Sequence, residues 1–404
     1  MNRHADRISI PILSILFLFY ATCILHAGTY TEITDFGDNP SNIKMFLYTP
    51  DNVAANPPVL VACHWCYGTA AAIYNGSRYC SVADKNGYYV IFPNAASSDG
   101  CWDVASTAAL THNGGGDPLG IVSMVRYVIK NFNADSTRVY SVGTSSGAMM
   151  TNVLLGAYPD VFAAGAAFAG VPFGCFAGST SWNADCSSGL ITKTPEQWGD
   201  LVRAAYPGYT GKRPRIQMWH GTNDEVLNYH NLGEAVKQWT NVLGADTLPS
   251  STESDVFQTG WTRQRYTNAA NEVVVETVIE QGVSHNLQVL QEEAIAFLGL
   301  DQSTGVRSGS VLKKNFPSNA TVIASSESGH ITVTVRSVPG IASLSLYTVS
   351  GRMMCALSGT HSSNGIYTFT INKNTLAHTQ YGSNIYIMKV LLNGADAGAF
   401  RFAF

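Results

Sequence analysis

Val139-Tyr140-Ser141-Val142-Gly143-Thr144-Ser145-Ser146-Gly147-Ala148-Met149-Met150-Thr151-Asn152-Val153 is the stretch on which the fold turns. A β-branched and aromatic run leads into a Gly-x-Ser-x-Gly turn, and an apolar helix-like run leads out of it. A serine on such a turn carries its hydroxyl above the edge of a sheet. The glycines two residues to either side remove side chains that would clash there. The amide of Ser146 then lies at a helix N-terminus, where the dipole favours a developing oxyanion. Ser145 is therefore the candidate nucleophile. Ser146 is its rival, disfavoured by the glycine spacing. In a chain with 37 glycines the five letters alone arise by chance, so the strand before and the helix after give the motif its weight.

Outward from this turn, short apolar runs alternate with longer helical ones. Residues 58–64, 88–92, 139–142, 163–169 and 216–220 predict strands, most of them rich in β-branched or aromatic residues. Residues 77–86, 117–132, 146–157 and 231–243 predict helices between them, and 291–297 a closing one. Alternation of this kind implies a mostly parallel sheet covered on both faces, the α/β-hydrolase fold when joined to the serine turn.

In that fold the chain order is nucleophile, acid, histidine. His220-Gly221-Thr222-Asn223-Asp224 follows a strand, which puts Asp224 at a carboxyl edge where functional groups of open α/β sheets collect. Gly282-Val283-Ser284-His285 follows the strand-like run 273–279. His285 is the candidate base and Asp224 the acid that orients it. Glu225 competes for the acid's part, and an Asn-Asp pair is also common in plain turns. His64-Trp65-Cys66-Tyr67-Gly68 occupies the loop that supplies a second oxyanion amide, from Cys66 or Trp65, with His64 read as structural. Thr111-His112-Asn113-Gly114-Gly115-Gly116-Asp117 lacks nucleotide-loop spacing and reads as a folded loop lining the cleft. Cys63-His64-Trp65-Cys66 raises a thiol–disulfide oxidoreductase, but Tyr67-Gly68 interrupts the helix that should follow, and Ser145, Asp224 and His285 would go unexplained. No HExxH and no paired CxxC is present, so the motifs imply no metal and no organic cofactor.

The bulk of the chain bounds its partners. Its 404 residues are 46% hydrophobic and 13% charged, enough apolar content for a large core and too few charges for disorder. A net charge of −4 gives no basic field for nucleic acid or an anionic membrane, and suits an uncharged substrate better. Arg3 and Arg7, an apolar run over 8–25 and small Ala27 read as a secretory signal peptide over 1–27, against an uncleaved anchor or a lipoprotein site at Cys23. No later run reaches the ~18 apolar residues of a membrane span. Secretion outside the cytoplasm, free or attached to the cell surface, is the expectation. Of eight cysteines, Cys175 and Cys186 flank a polar loop as a local bridge, and Cys66 and Cys101 both follow strand ends and are placed to meet. Cys63, Cys80 and Cys355 stay unassigned.

Beyond the first domain, 28–300, residues 301–318 are rich in Ser, Gly and Lys and read as a linker. The runs 321–324, 331–336, 343–348, 366–371 and 384–391 alternate between turns, which predicts a small β-sandwich over 319–404 with no chemistry of its own.

The first domain resembles carbohydrate esterase family 1, the fungal-type acetylxylan esterases and their feruloyl esterase relatives, with polyhydroxybutyrate-depolymerase-like esterases further off. The resemblance rests on His64-Trp65-Cys66-Tyr67-Gly68-Thr69-Ala70, Cys101-Trp102-Asp103-Val104, Leu110-Thr111-His112-Asn113-Gly114-Gly115-Gly116-Asp117, the Ser145 turn through Val153, Gly174-Cys175-Phe176-Ala177-Gly178 and Met218-Trp219-His220-Gly221-Thr222-Asn223-Asp224. It implies Ser145, Asp224 and His285 as a triad, and oxyanion amides from Ser146 and Cys66. Its substrate is implied to be acetylated xylan or another plant cell-wall polysaccharide. Asn223 stands where the family has a small residue, and Cys63 and Cys80 where it has apolar ones. Trp65 and Trp219 look like the acetylxylan branch and imply contacts that narrow the acyl pocket, with a feruloyl esterase as the alternative. A polysaccharide-binding protein with an inactive hydrolase fold is the non-enzyme alternative. Leu346-Tyr347-Thr348-Val349-Ser350-Gly351-Arg352 and Ile385-Tyr386-Ile387-Met388-Lys389-Val390 are similar to sorting domains of bacterial type IX secretion. That resemblance implies contact with secretion machinery, although the ending Phe400-Arg401-Phe402-Ala403-Phe404 departs from the basic tail of such domains. A carbohydrate-binding sandwich is its alternative.

Overall fold

A computed structural model describes residues 28–179 and 182–301 and, beyond them, eight strands between 312 and 403. The expected signal peptide, 1–27, lies outside the described residues.

The chain opens on β1 (Thr29–Ile33) and β2 (Lys44–Thr49), an antiparallel pair. Then follow β3 (Val59–Cys63), α1 (Ala70–Gly76), α2 (Tyr79–Asn86), β4 (Tyr89–Asn94), α3 (Gly116–Phe132), β5 (Val139–Thr144), α4 (Ser146–Ala157) and β6 (Ala164–Phe168). After α5 (Ala184–Ser187) and α6 (Pro195–Ala205) come β7 (Arg215–Gly221), α7 (His230–Leu243), β8 (Ser251–Ser254), β9 (Thr262–Thr267), β10 (Val273–Glu280) and α8 (Gln291–Leu298). One ten-stranded sheet runs β1-β2-β4-β3-β5-β6-β7-β10-β9-β8. From β4 to β10 every pair is parallel, and antiparallel strands finish both edges.

The central strands are buried at nearly every position, and most of their residues are apolar, because both faces are covered. In β3, Val59, Val61 and Cys63 enter one core cluster while Leu60 and Ala62 enter the other. Helix boundaries follow local chemistry. Thr194 and Gln197 form a capping box with Pro195 at the first turn of α6. Left-handed Gly87, Gly244 and Gly299 end α2, α7 and α8.

Several elements differ from expectation. The helix expected over 77–86 is α2, and an additional helix, α1, precedes it: Thr69 caps α1 by accepting from the Ala72 amide at 3.0 Å, and extended Ser77 separates the two. The edge strands β8 and β9 escape a reading by alternation because Ser-Thr-Glu-Ser and Thr-Arg-Gln-Arg-Tyr-Thr have no apolar face.

Beyond Leu300, the strands β11 (Leu312–Asn315), β12 (Thr321–Glu327), β13 (His330–Arg336), β14 (Ala342–Thr348), β15 (Met353–Ser358), β16 (Ile366–Asn372), β17 (Ile385–Leu392) and β18 (Ala395–Ala403) form two four-stranded antiparallel sheets. Their orders are β11-β12-β13-β16 and β15-β14-β17-β18. Tyr367, Phe369 and Ile371 are buried and alternate with exposed Thr368 and Thr370, as a strand with one covered face requires. β11 falls inside the stretch read as a linker, 301–318. Two lysines in a four-residue edge strand leave no periodicity to detect, and such charge is how sheet edges avoid further pairing.

Candidate active site

Ser145 sits between β5 and α4 with φ 57° and ψ −120°, a conformation that bulky L-residues adopt only under constraint. The constraint is close packing. A Cβ on Gly143 would lie 2.2 Å from the Gly147 carbonyl oxygen, and one on Gly147 would lie 2.2 Å from that of Cys63. Both positions therefore demand glycine. The Ser145 amide donates to the Phe168 carbonyl at 2.8 Å, tying the turn to β6. Its neighbour is occupied otherwise: the Ser146 hydroxyl accepts the Trp102 amide at 2.9 Å and is buried, which removes it as a rival nucleophile.

β7 and β10 are adjacent and parallel, so the loops leaving their carboxyl ends meet over the serine turn. Asp224 Oδ2 accepts from His285 Nδ1 at 2.8 Å, and His285 Nε2 lies 2.9 Å from Ser145 Oγ. A carboxylate only accepts, so Nδ1 carries the proton, Nε2 is left as acceptor, and the serine hydroxyl donates to it. The Asp224 side chain is fully buried. Its other oxygen accepts the amides of Val226 and Leu227 at 2.9 and 2.8 Å. His220 Nε2, buried in β7, shares its proton between Asp224 Oδ2 at 3.1 Å and the Leu227 carbonyl at 2.7 Å. Burial by itself would raise the Asp224 carboxyl. The hydrogen bonds from His220, His285 and the Leu227 amide outweigh it and hold the group well below the usual carboxylate range. Asp224 is thus a fixed negative charge beside the imidazole. Glu225 stands outside this chain of bonds, accepting the His285 main-chain amide at 3.3 Å.

The loop after β3 is knitted to the turn from the other side. Buried His64 accepts the Ala95 amide on Nε2 at 3.1 Å, so its Nδ1 donates to the Trp65 carbonyl at 2.8 Å. Burial lowers its basicity and keeps it neutral, as a structural role requires. The Trp102 indole donates to the His64 carbonyl at 2.8 Å. Cys66 is bridged to Cys101, and Cys175 to Cys186; Cys63 and Cys80 are buried free thiols. The Cys63-x-x-Cys66 pair is therefore no redox couple. The Cys23 and Cys355 side chains lie outside the described residues. Among the described residues the amides of Ser146 and Cys66 donate to no protein acceptor.

Trp65 is 38% exposed beside these amides, whereas Trp219 corrects its expected role as a substrate contact. Alternation along β7 turns Trp219 away from the site and into the core. It is fully buried there, its indole donates to Gln217 at 2.8 Å, and Phe257 stacks over it at 5.8 Å. The His112 loop is a second correction. His112 Nδ1 donates to the Ala157 carbonyl at 2.8 Å, at the far end of α4, and the ring stacks on Tyr206 at 3.7 Å. Twelve helical residues, about 18 Å, separate that end from Ser145, so the loop does not line the cleft. His220 as a second partner of Asp224 went unread, although its i, i+4 spacing to Asp224 was visible. Among the described residues no group of three or more His, Cys, Asp or Glu is placed to hold a metal, and no helix is long and apolar enough to cross a membrane.

A serine, an imidazole and a buried carboxylate in one line of hydrogen bonds can pass a proton from hydroxyl to ring and stabilise the imidazolium that results. Comparison with known proteins agrees with this chemistry. Residues 43–232 match the family model for esterase PHB depolymerase. Acetylxylan esterase A of Aspergillus oryzae is 45% identical over 281 residues, 68% of this chain and 90% of that protein. Feruloyl esterase B of Thermothelomyces thermophilus is 45% identical over 285 residues, 69% of this chain and 95% of that one. The solved acetyl xylan esterase from Aspergillus awamori aligns with a TM-score of 0.64 and 40% identity, covering 68% of this chain and 100% of that one. With an α/β-hydrolase sheet and this degree of identity over nearly whole relatives, the chain belongs to the fungal-type esterases of carbohydrate esterase family 1 and is an ester hydrolase.

Proposed function

We propose that the protein is a secreted serine esterase that removes O-acetyl groups from xylan through an acetyl-enzyme. Ser145 attacks the acetyl carbonyl as its proton passes to His285 Nε2, and Asp224 stabilises the charged ring. The amides of Ser146 and Cys66 hold the tetrahedral oxyanion, and Trp65 flanks the acyl group. His285 then protonates the departing sugar oxygen. Water, activated by the same imidazole, releases acetate. The observation that carries this reading is the unbroken relay Ser145–His285–Asp224 at 2.9 and 2.8 Å. An inactive, merely binding hydrolase fold has no use for it. The choice of acetyl draws on the names of the Aspergillus relatives. Feruloyl esterase is the second reading, favoured by the equal identity of the Thermothelomyces enzyme. The C-terminal sheets serve export or attachment at the cell surface rather than hydrolysis.

Acetate and ferulate release from natural xylan, measured side by side, tests the acyl group. Acetate release should predominate, and Ser145→Ala should lower it by about 10⁵-fold with folding intact. Ferulate as the main product would replace the first reading with the second, and a fully active Ser145→Ala enzyme would remove both.

A further inference from the structure

Glu280, the last residue of β10, has no exposed surface. By alternation its side chain lies on the same face as Val278, which packs in the cluster holding Trp219 and Trp261. Oε2 accepts the Gln288 amide at 3.3 Å, while Oε1 is buried without a partner. The Glu280 carbonyl accepts the amides of Thr222 at 3.1 Å and Val283 at 3.2 Å. Thr222 opens the turn to Asp224, and Val283 and Gln288 bracket His285. The main chain of this residue thus touches both loops that bring acid to base, and its carboxyl touches the one that carries His285.

A carboxylate in this position is badly solvated. Burial pushes the Glu280 carboxyl up to about 7, against a smaller downward pull from the Gln288 amide. Charged groups on the neighbouring elements are committed elsewhere. Arg263 and Arg265 of β9 pair with Glu253 and Glu276, His220 and His285 with Asp224, and Glu292 of α8 with Arg78. Neither these nor Glu293 of α8 bonds to it.

Resting on the relay proposed above, we infer that Glu280 is a positioning residue whose fully buried carboxyl seats the 281–288 loop, and His285 with it, through the Gln288 amide. Once ionised, the group keeps the Gln288 bond but carries a buried charge that one amide does not solvate. That favours a hydrated, looser loop and loosens the seat of His285 with it.

The test measures kcat and KM on a soluble acetyl ester from pH 5.5 to 9 for the full-length wild type, Glu280→Gln and Glu280→Ala. The downfield proton resonance of His285 Nδ1 is followed in parallel without substrate. At pH 6, Glu280→Gln should stay within about twofold of wild type, while Glu280→Ala loses about tenfold in kcat at unchanged KM through a shifted imidazole. Above pH 7 the wild-type kcat should decline and its resonance broaden, and Glu280→Gln should show neither change. A Gln profile superimposed on wild type between pH 7 and 9 overturns the inference. So does an Ala variant that loses thermal stability alone. If Ala does not fold, the Gln comparison decides. Activity in Ser145→Ala would strike the relay itself, and the substrate-free resonance still separates that failure from failure of the Glu280 assignment.

Discussion

Asp224 shows how one residue's surroundings set its chemistry. Four hydrogen bonds converge on a side chain with no exposed surface, and they keep it charged where burial alone would favour neutrality. Asp224→Asn removes that charge and leaves His285 free to adopt the wrong tautomer, so kcat should fall on the order of 10³–10⁴-fold. The same bonds give stability a pH dependence. The native group titrates below its ordinary 3.8, so its contribution is complete above that value and is lost as the pH falls from there toward the depressed native value. Denaturation midpoints should therefore separate wild type from Asp224→Asn at pH 7 and converge in strong acid. A gap that persists unchanged at pH 2 would contradict this account. Asp224, His285 and Ser145 were legible in the sequence because chain order and flanking strands constrain them. Trp219 was misread because a motif carries no information about which face its strand presents. Glu280 was illegible for a related reason: a glutamate closing an apolar strand looks like an exposed terminus until the loop folds over it.

At the scale of elements, the serine turn depends on β3 as much as on β5 and α4. Gly147 lies against the carbonyls of Cys63 and His64, with room for no added carbon. Gly147→Ala should push α4 off β3 and cost about 2–3 kcal/mol, read as a fall in the urea midpoint, together with most activity. Gly233 supplies the contrast. It is exposed within α7, and a Cβ there would meet nothing within 4 Å. Gly233→Ala should stabilise by about 0.4–1 kcal/mol and leave hydrolysis unchanged. Equal effects at the two glycines would show that packing is not what distinguishes them. The parallel strands were readable because burial on both faces writes continuous apolar runs. The edge strands and the break between α1 and α2 were not, since hydrogen bonds and caps define them rather than periodicity.

On the scale of the whole molecule, every residue of the relay lies before Leu300, and the alignment with the Aspergillus awamori esterase takes in the whole of that chain. A protein ending at Leu300 should keep kcat on a small acetyl ester within about twofold, as a domain with its own core allows. A large loss would assign the C-terminal sheets a part in hydrolysis. The relay also has a temporal meaning. Ser145 and His285 are separated by 140 positions in the chain, and their meeting requires β10 to dock beside β7, a pairing between distant segments. Contacts of such separation form late, because loop entropy is lost before they can repay it. Hydrolysis is then a clock for refolding: the first turnover marks the moment at which β5, β7 and β10 all stand in the sheet.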